Sequence, residues 1–288
     1  MAKVKLTIFR FLVKVFLKFG KRFFLSSRFV QISRKIADLA LKSSLEEGEI
    51  CEIQGFKIKR GKSMRYLILA EEYEPAETNL IKKYVKPGMT VFDLGANIGW
   101  FTMILSKIVG DTGHVYSFEP DPDYFLTLKE NIKLNHLENV SIFEMGVSNY
   151  SGITNFSLNE EFGTLVIDDK QKENSVKIST TTMDEFCLKN HIKIDFMKMD
   201  VEGSEPLVFE GMEECLRHNP DLKIIMEFHP DAMRGVGQSP QKYLEKIKKS
   251  GFKINQIHES GEIEEIEEQD LLKLKGSASF VNLFCFRK

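Results

Sequence analysis

The residues in this chain that can do chemistry sit at the ends of short apolar runs. The first run, Thr90-Val-Phe, gives way to Asp93-Leu-Gly95-Ala96-Asn97-Ile-Gly99. The two glycines let the backbone turn sharply and let a ligand approach the main chain. Asn97 between them tolerates a left-handed backbone better than most residues. A second run, His114-Val-Tyr-Ser-Phe, ends in Glu119, 24 residues beyond Gly95, where a carboxylate can accept two hydrogen bonds from a ribose diol. A third ends in Glu144-Met145-Gly146-Val147, whose backbone and apolar side chain suit an adenine ring. The fourth runs into Asp200-Val-Glu202-Gly203-Ser, and the fifth into Glu227-Phe-His229-Pro230. Asp93, Gly95, Ala96, Asn97, Gly99, Glu119, Gly146, Val147 and Asp200 are therefore the candidates for holding a nucleotide-like cofactor. Asp200, Glu202 and His229 are the candidates for acid–base work. Asp200 and Glu202 have a second reading as caps of the helix that follows them. Glu74 and Glu77, just upstream, are further acids able to face the same place.

The elements that must position these groups follow from periodicity. After the glycine loop, Ile98, Phe101, Ile104, Leu105 and Ile108 recur at helical spacing, so the unit reads strand, tight loop, helix. The pattern then repeats: strand 114–119, helix 121–135, strand 140–145, an insertion of short strands to about 179, helix 182–190, strand 194–199, helix 205–218, strand 222–228, helix 240–250, strand 252–257 and a last strand 280–286. Residues 258–275 are acidic and read as a surface hairpin loop plus a short helix. Such alternation predicts a mainly parallel sheet with helices on both faces. Ligands of such sheets bind at the carboxyl ends of the strands, where all five chemical groups fall. Upstream, Ile50-Cys-Glu-Ile-Gln, Phe56-Lys-Ile-Lys and Tyr66-Leu-Ile-Leu predict a small β lead-in, and residues 73–86 a loop and helix ended by Pro87-Gly88. The expected organisation is an arm at 1–45, a β lead-in and linker at 46–80, and a catalytic domain at 81–288.

Two glycines four apart with no third in register fit the dinucleotide fingerprint poorly, and no Gly-Lys-Ser/Thr follows to make a P-loop. The loop resembles instead the D-x-G-x-G-x-G loop of S-adenosylmethionine (SAM) methyltransferases, with Asn97 for the middle glycine. The resemblance becomes closer with Ser117-Phe-Glu-Pro, Val147-Ser with Ser151-Gly, Thr182-Met-Asp-Glu-Phe, Ile194-Asp-Phe-Met-Lys-Met-Asp-Val-Glu-Gly-Ser-Glu and Glu227-Phe-His-Pro, in that order. Together these are similar to the FkbM family of SAM-dependent methyltransferases, over roughly residues 73–286. Glu119, Asp200 and Glu202 fall on matching motif positions. The resemblance implies a class I SAM-methyltransferase, Rossmann-like α/β fold: a seven-stranded, mostly parallel sheet whose last strand is antiparallel. It also implies O-methylation of a hydroxyl on a sugar, glycan or similar metabolite. Asp200 or His229 would then take the acceptor's proton, with Glu202 positioning the substrate or capping its helix. The alternatives are an N- or C-directed methyltransferase, a nicotinamide-dependent oxidoreductase, or a non-catalytic membrane adaptor on the same fold. No metal is expected; Asp200, Glu202, Glu227 and His229 are the one set whose types would suit a divalent ion.

Composition bounds the rest. The chain has 288 residues, 42% hydrophobic and 28% charged, with formal net charge −2, enough for one sizeable α/β domain with additions. The charge is uneven: residues 1–37 hold ten Lys/Arg and no acid, leaving 30 Lys/Arg against 42 Asp/Glu in the remainder. Cys51, Cys187, Cys215 and Cys285 are far apart and form no zinc-type cluster, which points to reduced thiols and a cytoplasmic setting. In the arm, Arg10, Lys14, Lys18 and Arg22 recur every four residues beside a wide Phe/Leu face. A charge at that interval is too frequent for a spanning helix, and no apolar run is long enough for a signal peptide. A basic amphipathic helix lying on an anionic membrane, or packed on protein in self-association, fits the pattern. Nucleic acid does not, because aliphatic residues interrupt the bases and the body is acidic. Full-length protein is therefore expected to co-sediment with anionic vesicles and to be partly released by high salt. A chain starting near Ser43 should ignore them. If the full chain ignores vesicles but is a dimer that this truncation dissociates, the arm is a subunit contact instead.

Overall fold

Strand β3 (Thr90–Leu94) sits mid-sheet, and its side chains alternate between two chemistries. Val91 and Asp93 face one side, Phe92 and Leu94 the other, as the pleat requires. The computed structural model describes residues 50–59, 73–158, 163–165, 175–276 and 280–287. The expected arm at 1–45 and the Tyr66–Leu69 strand lie outside the described residues. The chain divides into two compact units, Met1–Glu74 and Pro75–Lys288.

In the first unit, β1 (Ile50–Ile53) and β2 (Phe56–Lys59) form an antiparallel hairpin. Gln54 and Gly55, at φ 50° and 82°, supply its two-residue turn, the backbone that a right-twisted hairpin favours.

The second unit opens with α1 (Pro75–Tyr84), so the helix spanning residue 80 belongs with the sheet. After β3 come α2 (Trp100–Val109), β4 (His114–Phe118), α3 (Pro122–Leu134) and β5 (Val140–Phe143). The insertion holds β6 (Gly146–Val147), β7 (Gly152–Leu158), β8 (Gly163–Leu165) and β9 (Ser175–Thr181), which make a separate four-stranded sheet in the order β6-β9-β7-β8. Helix α4 (Met183–Asn190) and β10 (Phe196–Met199) return the chain to the main sheet. Then follow α5 (Glu205–Glu210), α6 (Glu213–His218), β11 (Lys223–Phe228), α7 (Pro230–Gly235), α8 (Pro240–Lys249), β12 (Lys253–Ile257), β13 (Ile263–Glu265), α9 (Glu268–Leu272) and β14 (Val281–Phe286).

The main sheet runs β13-β12-β14-β11-β10-β3-β4-β5. Strands β5, β4, β3, β10 and β11 pair in parallel, and the last strand, β14, is antiparallel to both β11 and β12. This is the expected class I SAM-methyltransferase architecture, with one addition: the sheet has eight strands, not seven. The eighth, β13, folds back on β12 through a turn closed by Gly261 N–H to the His258 carbonyl (2.8 Å).

One face is a layer of rings. Phe92, Tyr116, Phe118 and Phe143 lie stacked across β3, β4 and β5, and Phe186 of α4 meets all four edge-on at centroid distances of 5.0–6.0 Å. Such contacts add to the area they bury. On the other face α1 and α2 cover the sheet, with Tyr84 of α1 against Phe284 of β14 (4.6 Å).

Two expectations need correction. The helix predicted over 205–218 is two short helices, because Gly211 is pressed onto the main chain of Ser148: a Cβ there would lie 2.2 Å from its carbonyl oxygen. Asp184 then caps the new start, accepting from the N–H groups of Glu214 (3.1 Å) and Cys215 (2.7 Å). Helix α7, with Pro230 in its first turn, was not anticipated. Gly211→Ala is expected to destabilise the fold by about 1–3 kcal/mol in urea titration. Gly235→Ala, with nothing within 4 Å of its Cβ position, should stay within about 0.5 kcal/mol of the parent.

Candidate functional site

After β5 the chain returns to place β10 on the far side of β3, so the order of strands reverses between these two. An open α/β sheet has its binding crevice at such a switch point. The residues there are Asp93 and the loop after it on one strand, and Asp200 and the loop after it on the other.

The first loop is held by its own main chain. The N–H groups of Gly95 and Ala96 both donate to the Phe118 carbonyl (2.9 Å each), and Gly99 N–H donates to Ala96 O (2.8 Å). Asn97 sits at φ 51°, the left-handed backbone expected of it, and its Oδ1 accepts from Ile98 N–H (2.8 Å). The Cβ directions of both glycines are filled by protein. A Cβ on Gly95 would lie 1.8 Å from the Asp200 carbonyl oxygen, and one on Gly99 2.5 Å from Leu128 Cδ1.

Glu119 ties this loop to the end of β4. Its Oε2 accepts from Asn97 N–H (2.7 Å) and its Oε1 from Asp121 N–H (2.8 Å). When ionised, each oxygen keeps a second lone pair, with which the carboxylate can receive a diol. It is buried, and burial, aided by Asp121 and Asp93, pushes it up to about 8 against those two bonds. Gly146 and Val147, the expected adenine wall, are buried in β6, which pairs in parallel with Thr180 and Thr181 of β9.

Asp93 points at α2. Its Oδ2 accepts from Thr102 Oγ1 (2.6 Å), whose single proton is thereby used, so Ser117 Oγ donates to Thr102 in turn (2.9 Å). Burial raises the Asp93 carboxyl, while the Lys198 charge and the Thr102 bond oppose the rise. Asp200 follows β10, its N–H on the Leu94 carbonyl (3.0 Å), its side chain about a quarter exposed. Asp93 Oδ1 and Asp200 Oδ1 are both buried without a hydrogen-bond partner among the described residues. Two orphaned carboxylate oxygens beside a loop of left-handed residues suit the cationic, ribose-bearing SAM molecule, and Glu119 suits its diol.

Past Asp200, Glu202 (φ 53°) and Gly203 (φ 90°) carry the chain over α7; a Cβ on Gly203 would lie 2.6 Å from the Ala232 carbonyl carbon. Ser204 is the N-cap of α5 and forms no side-chain cap bond. It is Glu205 that reaches back, accepting from Val201 N–H (3.0 Å). Glu205 is wholly buried, which pushes it up to about 8. His229 caps α7: its Nδ1 accepts from Ala232 N–H (3.1 Å), and its ring stacks on Phe280. Glu77 is buried on α1 and accepts from Asn282 Nδ2; Glu74 ends the first unit. Among the described residues no three His, Cys, Asp or Glu side chains gather as a metal-ligand set, so Asp200, Glu202, Glu227 and His229 do not form one. All four cysteines are free thiols. No helix among the described residues is long and apolar enough to cross a membrane.

Lys198 was missed in the sequence. It lies inside β10, paired in register with Asp93, and its ammonium is 2.9 Å from Asp200 Oδ2. The available signal was a lysine in an otherwise apolar strand, two residues before an acid.

Residues 93–254 match the family model for the methyltransferase FkbM domain. Among curated proteins, Methyltransferase 1 of Beauveria bassiana is 23% identical over 146 residues, 43% of this chain and 58% of that protein. Hexuronic acid methyltransferase AglP of Haloferax volcanii is 32% identical over 131 residues, 44% of this chain and 51% of its own length. Ribosomal protein L11 methyltransferase of Caldanaerobacter subterraneus is 31% identical over 111 residues, covering 30% and 35% of the two chains. The chain thus spans about half or less of the last two relatives and somewhat more of the first.

Burial of Glu119 has a measurable consequence. In the unfolded chain a glutamate ionises near 4.5, in the fold near 8. Between those values the folded state holds a proton that the unfolded state has lost, so stability falls as pH rises through this window. Glu119→Gln is expected to shrink the stability lost between pH 5 and 8.5 by a few kcal/mol, up to about 4, as read from urea titrations at several pH values. An unchanged slope would mean that Glu119 is ionised throughout.

Proposed function

The chain belongs to the FkbM methyltransferase family, and we propose that it transfers the methyl group of SAM to a hydroxyl of a sugar or glycan. The observation that carries this reading is the place of Asp200. Its main chain fills the space beside Gly95, while its side chain as a whole stays 24% exposed. One residue therefore borders the cofactor loop and keeps part of its side chain open to solvent, the side from which an acceptor would come. The name of the Haloferax volcanii relative, a hexuronic acid methyltransferase, supports a sugar as acceptor.

SAM, when bound, supplies a methyl group on a sulfonium. Glu119 would hold its ribose diol, and Asp93 with the 95–99 loop the remainder. Transfer of that methyl to a hydroxyl would leave S-adenosylhomocysteine and a methyl ether, and this chain would have to orient the acceptor oxygen and take up its proton. Asp200 is the better base of the two candidates. Because His229 Nδ1 accepts from a backbone N–H that can only donate, the neutral ring carries its proton on Nε2. His229 is thus suited to donate to the acceptor oxygen, and Glu202 to hold a neighbouring hydroxyl. For residues 1–37, the ten cations without an acid support a place at an anionic surface, where a lipid-linked glycan would be presented.

The test uses the full chain, methyl-labelled SAM, and p-nitrophenyl glucuronide, glucoside and aminoglycoside probes. Label is expected in a glycoside methyl ether, and Asp200→Asn should slow transfer about 10²–10⁴-fold with a much smaller change in SAM affinity. Label appearing only on amines would redirect the reading to nitrogen. Full transfer by the Asp200→Asn variant would remove Asp200 as the base.

A further inference from the structure

Among the described residues, the three charges at the switch point share one face of the sheet. Lys198 and Asp200 are two apart on one chain, and Lys198 is paired in register with Asp93 of β3, so the pleat turns all three the same way. Lys198 is a costly residue to place there: its side chain is 5% exposed, deep in the central strand. Its ammonium contacts two elements directly and shares a face of the sheet with a third. It donates to Asp200 Oδ2 at 2.9 Å, at the end of β10. It lies 4.6 Å from the centre of the Phe101 ring, in the first turn of α2. Its charge acts on Asp93, at the end of β3, lowering what burial raises. These are the two strands and the helix that frame the loop 94–99.

We propose that Lys198 is a positioning residue. Its one ammonium, bonded to Asp200, seated on Phe101 and set on the same face as Asp93, locks the cofactor loop to the carboxylate on the facing strand, so that the two act on SAM as a unit. A buried cation that satisfied Asp93 alone would not need to reach Asp200, and a surface ion pair would contribute little. Here the cation is buried, and one of its partners opens to the site. Lysine suits the task because its charge is compact and its stem flexible. The inference rests on SAM being the cofactor.

The experiment is calorimetric titration of SAM into the full-length protein and its variants. Lys198→Met is expected to weaken SAM binding about tenfold or more, and Asp200→Asn by a few-fold. The double variant should be no weaker than Lys198→Met alone, since the two residues act together. Lys198→Arg, which keeps the charge, should recover affinity to within about threefold of the parent. Glu119→Ala, whose carboxylate serves the opposite end of the loop, should instead multiply with Lys198→Met. Should Lys198→Met give no cooperative thermal transition, Asp93→Asn/Lys198→Met replaces it, because the deeply buried acid facing residue 198 in β3 is then neutral. That variant is expected to bind SAM as weakly as the single change would. Three results overturn the proposal: parental affinity in Lys198→Met, multiplying effects of Lys198→Met and Asp200→Asn, or recovery of affinity in Asp93→Asn/Lys198→Met. In the last case Lys198 merely neutralises Asp93. If the parent protein itself fails to bind SAM, the functional reading fails, and this inference with it; if the parent binds and Lys198→Met binds equally, only this inference fails.

Discussion

The carbonyl oxygen of Asp200 lies where a side chain on residue 95 would have to be, 1.8 Å from the position of a Cβ on Gly95. Much else at the site depends on this contact. It brings the ends of β3 and β10 together, with Asp200 N–H on the Leu94 carbonyl at 3.0 Å extending the strand pairing past its last residues. The chain after β10 can then only turn outward, over α7, through Glu202 and Gly203. The chain after β3 must rise over β4, where the Phe118 carbonyl takes two N–H groups and Glu119 a third. One missing Cβ thus sets the direction of both loops that line the crevice.

What could be read from the sequence was local. Asp93, Gly95, Asn97, Gly99 and Glu119 occur in short runs whose spacing implies a turn, and the structure has that turn, with Asn97 left-handed as expected. The nicotinamide reading of the same glycines falls away once the family is shown. What escaped depends on contacts between residues far apart in the chain. That residue 200 presses on Gly95 could not be read, because nothing near residue 95 says what will occupy the space beside it. The single helix expected over 205–218 breaks because residues 148 and 184, distant in sequence, press on Gly211 and cap the second half. Lys198 was passed over because an apolar run tolerates one interruption in a count of periodicity. Its meaning appears only with the register that sets it beside Asp93. His229 was legible as a titratable group, but not as a cap, because α7 was itself not foreseen.

The two faces of the sheet divide the work. On one side the rings of Phe92, Tyr116, Phe118, Phe143 and Phe186 interlock, joined by a wide apolar core that includes Met197, Met199 and Met226. Its polar side chains lie toward one end of the strands, where His114 and Ser141 bond to each other at 2.9 Å. On the other side Asp93, Ser117, Thr102 and Lys198 are buried together beneath α2. Burying charge is costly unless it is paired. Here the pairing is incomplete: three carboxylate oxygens, one each of Asp93, Asp200 and Glu205, lack partners among the described residues, and Glu119 and Glu205 are held near 8 by their burial.

Incomplete pairing and backbone strain coincide in this structure. Asn97 and Glu202, neither of them glycine, both adopt left-handed backbone, at φ 51° and 53°, one on each loop of the crevice. Each such residue costs on the order of 1 kcal/mol. A fold can hold strain and unmet charge at one edge only if the rest over-determines the chain there, and the ring layer beneath β3 and β4 does so. The strain is not relieved by local motion, because Asn97 N–H is fixed to Glu119 and Gly203 is wedged against the main chain of Ala232. The backbone of both loops is thus fixed by contacts within the protein, the condition under which a site needs little reorganisation when a ligand arrives.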